Sequence, residues 1–137
     1  MSKISGPLLD RIDIQVEVSS LSYEELSSAA PGESSAVVRE RVETARNFAR
    51  KRYQKAGVPV GSNAALSPGG VRAFCALDEE GDAILRSAYE GLGLSARGHD
   101  RILRVARTIA DLEGSEQIGA LHVAEAIQLR SLDRKYF

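Results

Sequence analysis

The chain has 137 residues, 43% apolar and 27% charged, with a net charge of −1. That is one domain's worth of ordinary globular composition, and it excludes a polycation that would bind nucleic acid by bulk charge. The single cysteine, Cys75, excludes an intrachain disulfide and, within the apolar string VRAFCAL, reads as a buried, inert thiol. With no Trp and 5% aromatic residues, the core must rest on Ala, Leu, Ile and Val. The apolar runs are too short to span a bilayer, and no basic-then-apolar leader is visible, so a cytoplasmic protein without membrane contact is expected.

Residues 12–18, IDIQVEV, alternate apolar and polar, which predicts a half-buried strand carrying Ile12, Ile14, Val16 and Val18 on one face. No second strand of similar quality follows. A lone strand leaves its backbone groups unpaired, so its sheet is expected to belong to residues outside this chain. Residues 19–33 are small and turn-rich and read as a linker.

From residue 34 onward the pattern is helical. Residues 34–56 predict a long helix capped by Ser34 or Ser35, with Val38, Val42, Ala45 and Ala49 on one face and Gly57 and Pro59 as stops. Its second half, RNFARKRYQK, carries Arg46, Arg50, Lys51, Arg52 and Lys55 with no acid. These cations form either a solvated face suited to a helix C-terminus or a DNA-phosphate edge with Phe48 and Tyr53 interleaved. A short helix is expected over 69–76. The next, capped by Asp78, runs to about Leu92 with Leu85, Ala88, Tyr89 and Leu92 as its stripe. Ser95 caps another that runs to about Glu113, with Ile102, Val105, Ala106, Ile109 and Leu112 inward. A last helix covers about 120–130, with Leu121, Ala124 and Ile127 inward. The fold class is mainly α: a bundle of four to five helices preceded by one strand. No internal repeat or low-complexity segment is present.

Three motifs reduce to structure. GLGLSA, residues 91–96, fits a nucleotide-binding glycine pattern, but a helix rather than a strand precedes it, which predicts a helix-to-helix turn. His122 and Glu125 have metal-compatible spacing without a third ligand, so a surface or half-buried pair is expected and no metal. No G-x-x-x-x-G-K-[ST] phosphate loop occurs, and the chain alone is expected to be without ATPase activity.

One pattern resists reduction. Arg97, Arg101 and Arg104 fall at i, i+4, i+7, within a narrow arc at about 100° per residue, and Thr108 continues the line. Stacked cations repel unless an anion meets them. Either Asp100 and Asp111 supply a surface network, or a polyphosphate binds, matched by guanidinium geometry and, at Arg97, by the helix N-terminus. Arg11 poses the same choice: pairing with Asp10 and Asp13, or reaching from the mouth of the strand to another molecule.

The strings SGPLLDRIDI, SYEELSSAAPGESS, LDEEGDAIL, LSARGHDRILRVARTIADLEGSE and HVAEAIQLRSLDR resemble, in this order, the C-terminal part of magnesium-chelatase-like AAA+ ATPases of the ComM (YifB) type. The resemblance covers nearly all of residues 4–134. It implies that 1–18 end an AAA+ α/β core, that 19–33 link, and that 34–137 form the helical lid. It implies ATP and Mg²⁺ as cofactors of the full-length protein, none bound by this part alone, and a homo-oligomeric, hexameric ring as partner. In the LLDR segment it places an arginine finger on Arg11, acting in trans on the neighbouring subunit's ATP. In the SAR segment it places sensor 2 on Arg97, contacting its own subunit's γ-phosphate, with Arg101 and Arg104 as weaker ATP-site or interface candidates. The function it implies is a DNA helicase or branch-migration motor of natural transformation. The alternatives are the motor subunit of a magnesium chelatase and a free-standing helical DNA-binding or adaptor module.

Overall fold

Five α-helices and one 3₁₀ turn occupy the described part of the chain, which in the computed structural model comprises Asp13, Ile14, Tyr23 and residues 32–130. In chain order these are α1 (Ser35–Ala56), a 3₁₀ turn (Asn63–Ala65), α2 (Pro68–Phe74), α3 (Glu79–Leu92), α4 (Ala96–Leu112) and α5 (Ala120–Gln128). The protein is mainly α, as the periodicity predicts. The expected strand at 12–18, most of the 19–33 linker, Arg11 and residues 131–137 lie outside the described residues.

Each helix begins where the sequence supplies a cap. Ser34, Ser67, Asp78 and Ser95 each accept, through a side-chain oxygen, the backbone N–H three residues on, at 2.7–3.2 Å. In the last three that third residue is glycine. At Gly70 and Gly81 an added Cβ would meet Leu66 Cδ2 or Asp78 Oδ1 at 3.0 Å, so the glycine lets the cap close. α5 is capped differently: the Gly119 N–H donates to His122 Nδ1 at 2.8 Å. Gly57 and Gly93 end α1 and α3 at φ of 72° and 63°, a left-handed conformation that costs glycine little. GLGLSA is thus the end of α3, a turn and the start of α4, the helix-to-helix turn expected of it.

α4 is the centre of the bundle. It packs against α1, α2, α5 and the 3₁₀ turn, while α3 reaches the bundle chiefly through α5. Ile102, Ala106 and Ala110 are fully enclosed, together with Tyr53, Val71, Ile118 and Val123. Full burial of side chains of this size contributes about 1.5–3 kcal/mol each for the larger aliphatics. The Tyr53 ring stands edge-on to Phe74 at 5.0 Å. Leu77 and Ile118 form an isolated parallel bridge joining the loops before α3 and α5. Cys75 is buried and free. Burial pushes its thiol up to about 11 against the opposing pull of Arg107, Arg52 and Arg104, so it stays protonated at neutral pH.

Several expected faces are corrected. Val38 and Val42 are exposed, because residues 35–44 extend past the bundle and α1 is buried only at Ala45, Ala49 and Tyr53. Tyr89 and Leu112 are also exposed, Tyr89 lying edge-on to His99. In α5 the buried residues are Val123 and Ala126; Leu121 is 84% exposed and Ala124 and Ile127 are only half-buried. Apolar residues surround this short helix on nearly every side, so its spacing does not single out one face.

The inward end of α4 carries charge instead of Leu112. Arg107 and Asp111 are each 3% exposed. Asp111 accepts both Arg52 Nη1 and Nη2 at 2.8 Å, a fork-on-fork pair, and the amide of Asn63 at 2.9 Å. Arg107 Nη2 pairs with the same carboxylate at 3.2 Å. Removing Asp111 leaves two guanidinium groups without their shared anion. Asp111→Ala is expected to lower unfolding stability by about 3–5 kcal/mol, read as a shifted urea midpoint with unchanged slope.

Candidate functional site

The arginine face of α4 divides once each side chain is followed to its partner. Arg107 donates to the carbonyls of Ser115 at 2.6 Å and Glu116 at 2.9 Å, fastening the α4–α5 turn. Burial pulls its pKa down, with Asp111 opposing, and an arginine remains a cation at any working pH. Arg104 donates through Nε and Nη2 to the Leu66 carbonyl at 3.2 and 2.7 Å, holding the exit of the 3₁₀ turn. Thr108 donates to the Arg104 carbonyl and accepts from the Asn63 amide, both at 3.0 Å. Arg101 pairs with Asp13, 88 residues away in sequence.

Arg97 differs. It is exposed in the first turn of α4, beside the Ser95 cap, and pairs with none of the described residues. There the unpaired N–H groups and the helix dipole favour an anion. The expected carboxylate partners of the stripe are engaged elsewhere: Asp100 lies against His99 Nδ1 at 3.3 Å, and Asp111 serves Arg52 and Arg107. Beside the first turn of α4, Ala96, His99 and Asp100 face Arg86 and Tyr89 of α3 across a cleft of about 460 Å³. The described residues thus leave Arg97 available to a ligand and give Arg101 and Arg104 partners within the chain. Arg11 lies outside them.

The basic edge of α1 also divides. Arg46, Lys51 and Lys55 are exposed, and Arg50 is exposed with a bond to Asn47 at 2.8 Å. Arg52 turns inward, its guanidinium 4.9 Å from the Tyr53 ring centre and 5.9 Å from that of Phe48. Burial opposes its charge, but hydrogen bonds and attraction to Asp111 and Tyr53 outweigh it and raise its pKa. Tyr53 is fully buried and donates to Asn63 Oδ1, so it cannot be an interleaved surface ring. Phe74 takes that place: Phe48, Lys51, Lys55 and Phe74 line a cleft of about 610 Å³, with Glu116 among its walls.

His122 is half-buried. Its Nδ1 accepts from Gly119, which leaves Nε2 to face Glu113; Glu125 is exposed and takes no part. Among the described residues no three His, Cys, Asp or Glu side chains are placed to hold a metal, and no helix is long and apolar enough to cross a membrane. Sequence reasoning missed Asn63 and the buried roles of Arg107 and Asp111. The available signal was an i, i+4 arginine–aspartate pair set between the buried Ala106 and Ala110.

A helical bundle carrying one unengaged arginine at the head of its central helix is the class of domain that the fold defines. Residues 32–130 match the family model described as magnesium chelatase, subunit ChlI C-terminal, and residues 1–26 match that of magnesium chelatase, subunit ChlI. The chain belongs to the magnesium-chelatase-like family. It is 41% identical over 135 residues to the YifB protein of Escherichia coli strain K12 and 39% identical over 135 residues to competence protein ComM of Haemophilus influenzae. It is 40% identical over 130 residues to protein Rv2897c of Mycobacterium tuberculosis strain H37Rv. These alignments cover 95–98% of this chain but only 25–26% of each relative, so the chain spans about a quarter of their length.

The division of the basic edge is measurable by stability. Arg52→Ala is expected to cost about 2–3 kcal/mol in urea unfolding, since it strips charged hydrogen bonds from a buried carboxylate. Lys51→Ala and Lys55→Ala should stay within about 0.5 kcal/mol of the parent.

Proposed function

We propose that this chain is the C-terminal part of a magnesium-chelatase-related AAA+ ATPase that works as a ring, residues 1–18 closing its α/β core, 19–33 linking and 34–137 forming its lid. The observation that carries the reading is Arg97. It stands exposed at the N-terminus of α4 while its neighbours on the same face are engaged. In this reading Arg97 is sensor 2: its guanidinium meets the γ-phosphate of ATP bound by its own subunit and couples that contact to the angle of the lid. Arg11 is the arginine finger, reaching the ATP of the adjacent subunit and offsetting charge on the transferring phosphoryl group. ATP and Mg²⁺ bind to the full-length protein, whose cradle for the β- and γ-phosphates lies outside this sequence.

The motor's track is DNA in this proposal, in a cytoplasmic, ComM-like helicase or branch-migration factor of hexameric form. Its support is 39% identity to a competence protein along 98% of the chain, with the cations of α1 as a candidate contact edge. That edge comprises Arg46, Arg50, Lys51 and Lys55, without Arg52. The description of both matching family models favours a second reading, the motor subunit of a magnesium chelatase. DNA-stimulated ATP turnover by the full-length protein supports the first; stimulation only by chelatase partner subunits supports the second.

The two arginine roles separate in mixed rings of full-length subunits. Arg11→Ala and Arg97→Ala should each abolish turnover, the finger alone being worth about 10³–10⁵ in rate. Combined with a phosphate-loop variant that binds no ATP, Arg11→Ala should regain activity, because one subunit keeps its pocket and the other keeps its finger. Arg97→Ala should regain none, since every pocket is then damaged. Rescue of the Arg97 mixture, or none of the Arg11 mixture under confirmed subunit exchange, reverses the assignment.

A further inference from the structure

The Asp13–Arg101 pair ties two distant stretches of chain, and neither an α4 capping role nor the bundle core accounts for it. Arg101 lies four residues after Arg97, one helical turn and about 6 Å along α4. Asp13 lies two residues after Arg11, at most about 7 Å of extended chain. Arg101 Nη1 donates to Asp13 Oδ1, while Arg101 Nε is enclosed without a partner. The guanidinium is 23% exposed and the carboxylate 42%. An ion pair so open to water contributes only about 0–1 kcal/mol to stability. It is therefore a weak reason for the bundle to hold together and a specific way to fix where the N-terminal segment sits.

We propose that Arg101 is a positioning residue: by gripping Asp13 it holds the segment that carries Arg11 against α4, one turn from Arg97. This rests on the reading of Arg11 and Arg97 given above. The consequence is mechanical. When the γ-phosphate draws Arg97, α4 moves, and the strap carries the finger segment with it. The state of a subunit's own ATP then sets how its finger meets the neighbour's. Arg104 cannot substitute, because it is spent on the Leu66 carbonyl, and Arg107 is spent on the α4–α5 turn and Asp111.

The test uses the full-length protein and steady-state ATP turnover. Asp13→Ala and Arg101→Ala are each expected to lower kcat about tenfold, the scale on which small misplacements of catalytic groups act, with KM for ATP unchanged and circular dichroism melting preserved. Exchanging the charges, Asp13→Arg with Arg101→Asp, should restore most of the lost rate, which a merely structural role would not do. Parent-level kcat in either single variant, or a double variant no faster than the singles, overturns the strap. Arg11→Ala and Arg97→Ala run alongside. If they turn over normally, the arginine assignment falls and the strap with it; if they are dead while the strap variants are normal, only the strap falls.

Discussion

The Asp111 carboxylate is the constraint on which the bundle depends. A buried anion is costly unless hydrogen-bonded and paired, and this one is met by Arg52 from α1, Asn63 from the 3₁₀ turn and Arg107 from its own helix. Each partner is itself anchored. Arg52 lies against the rings of Phe48 and Tyr53, Asn63 accepts from Tyr53 and donates to Thr108, and Arg107 reaches the carbonyls of the turn before α5. Apolar packing alone lets helices slide at modest cost. A carboxylate with directed partners on three sides fixes α1, the 3₁₀ turn and α4 at one register.

That register decides which arginines remain for function. α4 carries a run of cations whose spacing suggests one common ligand. The fold breaks the run into separate tasks: Arg107 and Arg104 hold loops by their carbonyls, Arg101 holds Asp13, and Arg97 is left at the exposed end where the helix dipole draws anions. The same division acts on α1, where Arg52 is drawn into the network and Lys51 and Lys55 stay at the surface. Charge at regular spacing therefore states what a helix face could bind, while burial states what it has left to bind with.

The helix starts were legible in the sequence because each cap is a local interaction. Ser34, Asp78 and Ser95 bond three residues ahead, and Gly57 and Gly93 close their helices through their own φ angles. The mainly α class and the buried Cys75 were legible for the same kind of reason. Val38 and Val42 misled because an apolar face on a helix says nothing about how far the partner helix extends. Leu121 misled because a nine-residue helix with apolar residues on most sides has no preferred face until α3 and α4 are in place. The Asp111 network was hidden because it joins positions 52, 63, 107 and 111 from separate elements, and only tertiary contact makes them one group. The Asp13–Arg101 pair was hidden by the same distance in sequence.

Native-state hydrogen exchange on this chain tests most directly whether one buried carboxylate makes α1 and α4 a single unit. Amides of Ala49–Tyr53 and of Ile102–Ala110 should exchange through the same opening, with the same free energy and denaturant dependence as global unfolding. Release of the α1 amides through a smaller opening, while those of α4 stay protected to the global limit, would contradict the account.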